Sequence, residues 1–262
     1  MSSRVGNNGV ARTGAGRASL ETLLESADLG LEVLHPGGLE ITRGLGELCH
    51  IEKDVRVLDV ASGTGESACF VAEHFGCQMV GVDVSEYMIQ RARRKATERH
   101  LSVEFIEGDA HHLPFDDHTF EAVISECTMC LLDKEMAIGE MVRVGRSGGF
   151  IGMHDICWKA DTPAHVRQKL VDLEGERPET LGGWKTLFEK AKLVDVEVVD
   201  TSSLIPGWID DVNKTLGVIG RLKIFLKAIK KWGMAGYKAI RDLEKILQSE
   251  YMGYGIIVGK KP

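Results

Sequence analysis

No apolar run in this sequence approaches the roughly 20 residues that a membrane-spanning helix needs, and no apolar leader opens the chain. Only six cysteines are spread over 262 residues, so no disulfide framework is indicated. These absences predict a reducing, cytoplasmic setting. A positive charge balance is also lacking, because the formal net charge is −7. General nucleic-acid binders usually carry a basic surface, so we expect no nucleic-acid partner.

The length, with 44% hydrophobic residues, predicts one globular domain with a substantial core. Residues 1–20 are rich in Gly, Ser and Arg and predict a disordered tail. Residues 21–262 are predicted to form the single domain. Its parts are helical patterns at 21–50, alternating strands and helices at 51–156, and a last part at 157–262 that includes a helical segment at about 209–252.

Strand and helix patterns alternate from residue 55 to residue 156 with short connections. This alternation predicts an α/β fold, a parallel sheet covered by helices on both faces. Ser85 is expected to cap the helix 85–100, and Gly145 to end the helix 134–144. Further along, helices are predicted at 162–173 and 184–192, an edge strand at 194–202 and a last strand at 254–259.

A glycine-rich loop, ASGTG, follows the first predicted strand and its Asp59. Gly63 and Gly65 stand where the backbone must turn sharply from strand to helix and leave room for a ligand. Asp83 ends the second strand, where a carboxylate can accept hydrogen bonds from two ribose hydroxyls. Asp109 ends the third strand. The strand ends therefore describe a site for a nucleoside-bearing cofactor.

Two kinds of cofactor are compatible with a loop of this pattern. The pattern Gly63-x-Gly65-x-x-Ala68 matches the dinucleotide fingerprint, so an NAD(P)-dependent oxidoreductase is one alternative. Asp59, however, lies close to where a pyrophosphate would have to bind and would repel it. The cationic methionine moiety of S-adenosylmethionine is compatible with that carboxylate. The sign of the charge therefore favours S-adenosylmethionine.

Four segments, LDVASGTG, VGVDVSEYM, FIEGDAHHLPFDDHTFEAVIS and EMVRVGRSGGF, resemble class I S-adenosylmethionine-dependent methyltransferases in order and spacing. The similarity spans about Leu39 to Ile156 and is greatest to the type 11 group, which includes ubiquinone/menaquinone and arsenic methyltransferases. It implies a Rossmann-like, seven-stranded, mostly parallel sheet sandwiched by helices, with a helical cap inserted near the C-terminus. It also implies methyl transfer from S-adenosyl-L-methionine to a small organic molecule, with S-adenosyl-L-homocysteine as product.

The resemblance also implies which residues bind the cofactor. Those at its methionine and ribose end are Asp59, Ala61, Gly63 and Gly65. The ribose hydroxyls and adenine are expected to contact Asp83, Val84, Met88, Asp109 and Ala110. Glu126 and Cys127 are expected near the methyl donor, and Thr42 is expected to close over the cofactor.

Catalysis of methyl transfer needs little beyond alignment of the reacting atoms, plus a base where the acceptor must lose a proton. His154, at the end of the fifth predicted strand, is the candidate catalytic residue because it can accept a proton from a hydroxyl. A structural histidine is the alternative. The loop 111–118 contains three histidines and two aspartates, but we interpret it as a solvated loop and expect no metal.

The acceptor atom, whether oxygen, carbon or nitrogen, is open. No Asn-Pro-Pro-aromatic tetrapeptide of nucleic-acid methyltransferases stands at 125–128, so a small molecule is expected. Cys127, Cys130 and Cys157 leave arsenite or another metalloid as an alternative acceptor. However, LGGWKTLFEKAKL, similar to the downstream region of arsenic methyltransferases, contains no cysteine.

The segment 221–232 alternates apolar residues with lysines and predicts an amphipathic basic helix. Such a helix suits a lipophilic or quinone-like acceptor, or a peripheral membrane contact. The alternative is a cap helix that packs by its apolar face, with its lysines in water. Nothing in the sequence indicates the oligomeric state.

Overall fold

A computed structural model describes residues 35–262. Its strands are β1 (Arg56–Val60), β2 (Gln78–Asp83), β3 (Glu104–Glu107), β4 (Phe120–Glu126), β5 (Gly145–Trp158), β6 (Glu179–Thr180), β7 (Val194–Asp200) and β8 (Met252–Lys260). Its helices are α1 (Gly38–Leu48), α2 (Glu66–Phe75), α3 (Glu86–Glu98), α4 (Lys134–Val144), α5 (Ala164–Glu174), α6 (Leu181–Lys190) and α7 (Ile205–Leu247). The predicted tail 1–20 and the helical pattern at 21–34 lie outside the described residues.

The described strands form one sheet in the order β3-β2-β1-β4-β5-β8-β7, with β6 off this path beside β5. Strands β1 to β5 pair in parallel, whereas β8 is antiparallel to both β5 and β7. The predicted mostly parallel α/β sheet is confirmed. It has one strand more than the seven predicted, because β6 pairs with the end of β5. Two residues are too few to produce a strand pattern in the sequence.

The centre of the sheet is buried on both faces, as its uninterrupted apolar strands require. Val57, Leu58 and Val60 of β1 are each fully buried. Helix α1 packs so closely on β5 that a Cβ at Gly152 would lie 2.4 Å from Cys49 Sγ. Strand order reverses between β1 and β4, and this reversal opens a crevice at the carboxyl ends of the strands.

Local capping agrees with the sequence. Ser85 precedes α3, and its hydroxyl accepts a hydrogen bond from the Met88 amide at 3.4 Å. Helix α4 ends at Val144, as its following glycine predicts.

The helical segment predicted at about 209–252 is α7, which spans 205–247 between β7 and β8. Two of its glycines have non-helical backbone angles, Gly217 with φ 52° and Gly233 with φ 70°. These breaks divide it into pieces at 205–216, 218–232 and 234–247. Among the described residues, no helix is long and apolar enough to cross a membrane.

Candidate cofactor site

The loop after β1 is tied to β2 by backbone hydrogen bonds. The Ser62 amide donates to Val82 O, and the Gly63 amide donates to Asp83 Oδ2, both at 2.9 Å. Gly63 and Gly65 both have positive φ, but for different reasons. A Cβ at Gly65 would lie 2.7 Å from Phe105 Cζ, whereas a Cβ at Gly63 would meet no described heavy atom within 4 Å. Gly65 therefore permits packing, and Gly63 borders open space that a ligand can occupy.

Asp83, at the end of β2, borders the crevice. Its Oδ1 accepts the Ser85 amide and its Oδ2 the Gly63 amide, each at 2.9 Å. Its main-chain oxygen accepts the amide of Gly108, which joins the end of β3 to the same point. Each carboxylate oxygen can accept a further hydrogen bond. The side chain is therefore held in place with capacity left for hydroxyl donors.

An apolar surface adjoins this carboxylate. Val84 is 71% exposed, and Met88, one helical turn further along, is half-buried. An exposed apolar side chain next to a fixed carboxylate suits a flat aromatic group carried on a hydroxylated sugar.

Asp109 borders the crevice from the β3 side. Its Oδ1 accepts the His111 amide at 2.9 Å and contacts His111 Nδ1 at 2.7 Å. Burial opposes ionisation of Asp109, but the hydrogen bonds from His111 outweigh it and lower the pKa of this carboxyl. The other ring nitrogen of His111 accepts the Asp133 amide at 3.1 Å. His111 is thus held by hydrogen bonds at both ring nitrogens. Ala110 is half-buried beside Asp109.

Two acidic side chains are buried where β1 and β4 end. Asp59 is 2% exposed, and burial, together with the nearby Glu126 and Asp83, raises its pKa well above the usual range. The Glu126 side chain is 6% exposed and accepts the Thr42 hydroxyl at 3.0 Å. Buried carboxylates need compensation by a cation or by protonation. The site therefore suits a positively charged ligand group.

Two histidines adjoin Glu126. His154 was expected at the end of the fifth strand, but β5 continues to Trp158 because its pairing with β8 extends that far, so His154 lies within β5 beside Glu126. His154 Nε2 lies 3.2 Å from Thr201 Oγ1, whereas its Nδ1 has no hydrogen-bond partner among residues 35–262. His35 Nε2 lies 3.6 Å from Glu126 Oε2, and its ring meets that of His154 edge-on at 5.3 Å. Burial, and then the neighbouring His35, lowers the pKa of His154 to about 3. His154 is therefore neutral at physiological pH.

Two site residues other than glycine have left-handed backbone angles, Ala61 with φ 62° and Cys127 with φ 53°. Such angles cost free energy and persist where the surrounding structure imposes them, often at ligand sites. The Cys127 amide donates to His154 O at 2.7 Å. This bond holds the end of β4 against β5.

The thiols near the crevice differ in accessibility. Cys127 is half-buried, whereas Cys130 and Cys157 are 3% and 0% exposed. Burial raises the pKa of Cys130 well above the usual range and that of Cys157 to about 12. Both buried thiols therefore stay protonated near neutral pH.

Comparison with known proteins identifies the family. The family model described as "Methyltransferase domain" matches residues 57–149. Methyltransferase GfsG of Streptomyces halstedii is 30% identical over 218 residues, which cover 78% of this chain and 77% of that protein. This chain belongs to the class I S-adenosylmethionine-dependent methyltransferases. S-adenosylmethionine is accordingly its cofactor, and the NAD(P)-dependent alternative falls away.

Two further matches describe the range of this family. Demethylmenaquinone methyltransferase of Thermus thermophilus is 45% identical over 96 residues, 36% of this chain and 44% of that protein. The crystal structure of the cyclase SpnF is 27% identical with a TM-score of 0.73, and the match covers 92% of this methyltransferase and 93% of SpnF. The shared core thus occurs in proteins named for different reactions.

The crevice of this methyltransferase fits the cofactor. Open space beside Gly63 leaves the loop backbone approachable, Asp83 retains acceptor capacity, and Val84 offers an apolar wall. The buried carboxylates of Asp59 and Glu126 match the positive charge of the methionine end. The structure thereby brings the sequence-predicted residues to one edge of the sheet.

Sequence reasoning missed three neighbours of His154, namely His35, Thr201 and Tyr254. The Tyr254 ring lies 5.4 Å from that of His154. His35 belongs to the stretch HPGG, which is typical of a turn and carries no signal of a functional site, and Thr201 follows β7. Their sequence positions carry no periodic signal, because they are brought together by the pairing of β8 with β5 and β7 and by the packing of α1.

Proposed function

We propose that this methyltransferase methylates a hydroxyl oxygen of a small lipophilic acceptor, with His154 accepting the hydroxyl proton. The observation that carries this proposal is the unpartnered, buried Nδ1 of a neutral His154 near the Glu126 end of the cofactor crevice. The part at 51–156 would bind the cofactor, and the part at 157–262, with α7 as a cap, would bind the acceptor.

For cofactor binding, we assign each predicted residue to the part of S-adenosylmethionine that its contacts suit. The carboxylate of Asp83 would accept from the ribose hydroxyls, and Val84 and Met88 would pack on adenine. Asp109 and Ala110 would border the adenine amino group. The residues assigned to the cationic methionine end are Asp59, Ala61, Gly63, Gly65, Glu126 and Cys127, with Thr42 orienting Glu126 through its hydroxyl.

Bound S-adenosylmethionine supplies a methyl group activated by its attachment to a positively charged sulfur. The protein must orient the acceptor and accept its proton. With Nε2–H donating to Thr201 Oγ1, the lone pair of His154 stands on Nδ1. The Glu126 carboxylate, near both histidines, would stabilise the imidazolium that forms.

A pKa of about 3 makes His154 a weak base. That is sufficient here, because the hydroxyl proton becomes strongly acidic as its oxygen gains a methyl group. Proton transfer is therefore favourable late in the reaction. The weak base also stays unprotonated in mildly acidic solution, so it is available over a broad pH range.

The lipophilic character of the acceptor is supported by the aromatic ring of Tyr254 beside His154. The name of the Thermus relative, a demethylmenaquinone methyltransferase, is consistent with a quinone-like acceptor. A metalloid acceptor has less support, although an arsenite methyltransferase of Halobacterium salinarum is 28% identical. The thiols of Cys130 and Cys157 are buried and protonated, so they are poor ligands for arsenite.

The first experiment is a screen with methyl-labelled S-adenosylmethionine against phenols, hydroxyquinones, alcohols, amines and arsenite. Because SpnF shares the fold and is named a cyclase, label transfer to an acceptor, and not cofactor binding alone, is the deciding measurement. Transfer only to amines or arsenite would contradict the proposal.

The role of His154 is tested with the acceptor that is found. His154→Gln keeps a polar group near Thr201 but lacks an acceptor at the Nδ1 position, so we expect kcat to fall at least about 100-fold. His154→Asn retains a polar group near the Nδ1 position and should lose less. Affinity for S-adenosylhomocysteine should be unchanged in both. The matched control is His74→Gln on the exposed side of α2.

The pH profile distinguishes this histidine from an ordinary one. The wild-type kcat/KM should show no acid-side decline near pH 6.5, the usual histidine pKa, because His154 gains a proton only near its pKa of about 3. A decline near pH 6.5 that disappears in His154→Asn would refute the assigned protonation state. An unchanged kcat in His154→Gln would refute the role.

A second candidate role for the same cluster is cation binding. Ligand atoms of His35, Glu126 and His154 lie within 4.8 Å of one another. A divalent cation there would activate the acceptor hydroxyl in place of the base. Dialysis against a chelator distinguishes the two, because only a cation-dependent enzyme would lose activity and regain it with added metal.

A further inference from the structure

The segment 212–241 contains no Asp or Glu. In a chain of net charge −7, this segment alone contributes eight positive side chains. They are Lys214, Arg221, Lys223, Lys227, Lys230, Lys231, Lys238 and Arg241. This charge separation lies within α7, and the cofactor site does not account for it.

The last two pieces of α7 form an antiparallel helical hairpin that turns at Gly233. Ala228, with Ile224 and Trp232, packs against Ile240. A Cβ at Gly236 would lie 2.3 Å from the Trp232 side chain, so the two helices approach closely there. The last piece joins the main core through two further residues, Leu243 and Ile246.

The piece 218–232 has a second apolar face that this packing leaves exposed. Val218 is 78% exposed, Ile219 73%, Leu222 53% and Leu226 56%. At about 100° per residue, the four side chains fall within one sector of the helix. We call these four residues the apolar stripe. Met234, 64% exposed, follows just beyond the turn.

Lysines border the apolar stripe. Lys223, Lys227 and Lys230 follow one another at helical spacing on the adjoining sector, opposite the buried face. A helix that offers water an apolar sector flanked by lysines is typical of helices that lie in a membrane interface, with lysine stems on the apolar surface and ammonium groups at the headgroups.

We propose that the apolar stripe and its lysines dock this methyltransferase onto an anionic lipid surface. Large exposed apolar patches mark interaction sites. The charge identifies the occupant, because Lys223 and Lys230 border the apolar stripe within a stretch, 212–241, that contains no Asp or Glu, and such a surface complements anionic headgroups. None of the four stripe residues is assigned to the cofactor or to proton transfer, so this inference does not depend on which acceptor is methylated.

The test is flotation of the full-length protein with two vesicle preparations at low salt. One contains phosphatidylcholine alone, and the other contains phosphatidylcholine with phosphatidylserine. We expect flotation with the anionic vesicles and its loss as salt is added, since screening weakens the attraction. No flotation with anionic vesicles at low salt, or equal flotation with both preparations, would overturn the proposal.

Paired variants identify the surface responsible. Lys223→Glu with Lys230→Glu should lower the partition coefficient at least about 25-fold, since each lysine near an anionic surface contributes about fivefold. The matched charge control is Lys185→Glu with Lys190→Glu on α6, which should change it little. Equal losses in both pairs would mean that binding follows net charge alone and would refute docking through α7.

The apolar contribution needs its own variant. Leu222→Asn with Leu226→Asn should weaken flotation at every salt concentration, whereas Met136→Asn, on an exposed apolar residue of α4, should not. Affinity for S-adenosylhomocysteine, expected to be unchanged in all variants, verifies that each is folded. If the double Asn variant floats like the wild type, the apolar stripe does not enter the lipid and the proposal is wrong.

Discussion

Replacing Asp83 by alanine is the most direct test of where the cofactor binds. The Asp83 carboxylate accepts amide hydrogen bonds from Gly63 and Ser85, and each oxygen can accept one more from a ribose hydroxyl. Alanine would remove the hydroxyl contacts and also release the Gly63 amide that positions the loop. A hydrogen bond to a charged group contributes about 1.5–3 kcal/mol.

That loss corresponds to a dissociation constant for S-adenosylhomocysteine about 10- to 150-fold higher. Calorimetric titration of the purified, ligand-free protein measures it directly. Asp200→Ala is a matched control, because Asp200 also ends a strand and accepts the amide two residues later, Ser202, at 2.9 Å. It lies at the end of β7, away from β2. Its removal should lower stability locally and leave cofactor affinity unchanged.

Unchanged affinity in Asp83→Ala would refute the assignment of the ribose position. A comparable loss in Asp200→Ala would instead attribute the effect to general destabilisation. Asp83→Asn retains one acceptor oxygen and should fall between the wild type and the alanine variant. Comparing the cofactor affinities of these three variants with their thermal unfolding distinguishes a lost contact to the cofactor from a lost support of the loop.

Two further outcomes follow from the structure. Gly65→Ala should lower the free energy of unfolding by about 2–4 kcal/mol, because its Cβ would press on Phe105 from a strained backbone. Gly63→Ala should lower it by only about 1–2 kcal/mol, since only the backbone is strained there. Equal losses in urea denaturation would contradict this distinction. Burial raises the pKa of Asp155 to about 6. The wild type therefore loses stability as pH rises and this buried carboxyl loses its proton. Asp155→Asn should therefore gain stability relative to the wild type by up to about 3 kcal/mol as pH rises from about 4 to about 8, and a pH-independent difference would show that Asp155 has an ordinary pKa.

The sequence alone determined the α/β alternation and some of its boundaries. Strand β2 ends at Asp83 and helix α4 spans Lys134–Val144, as predicted, because a doubly buried apolar run and a helix between a cap and a glycine are local patterns. The family also followed from local motifs, since the ASGTG loop and Asp83 keep a fixed order along the chain. The sequence did not predict strand β6, because a strand of two residues has no periodic pattern.

Only the tertiary structure decided the surroundings of His154. Its neighbours Thr201 and Tyr254 are far from it in sequence and reach it through the antiparallel pairing of β8 with β5 and β7. The packing of α1 adds His35 and links Thr42 to Glu126. Whether a histidine is neutral depends on its burial and on neighbouring charges, which long-range contacts set.

The same division applies to α7. Its lysines and apolar residues were visible in the sequence, but their pattern could not distinguish the helix face that packs from the face that meets water. The hairpin at Gly233 decided it, because packing against Ile240 buries Ala228 and leaves Leu222 and Leu226 exposed. Local propensity and motif order are properties of neighbouring residues, whereas burial, ionisation and exposed surface arise only when distant segments pack together.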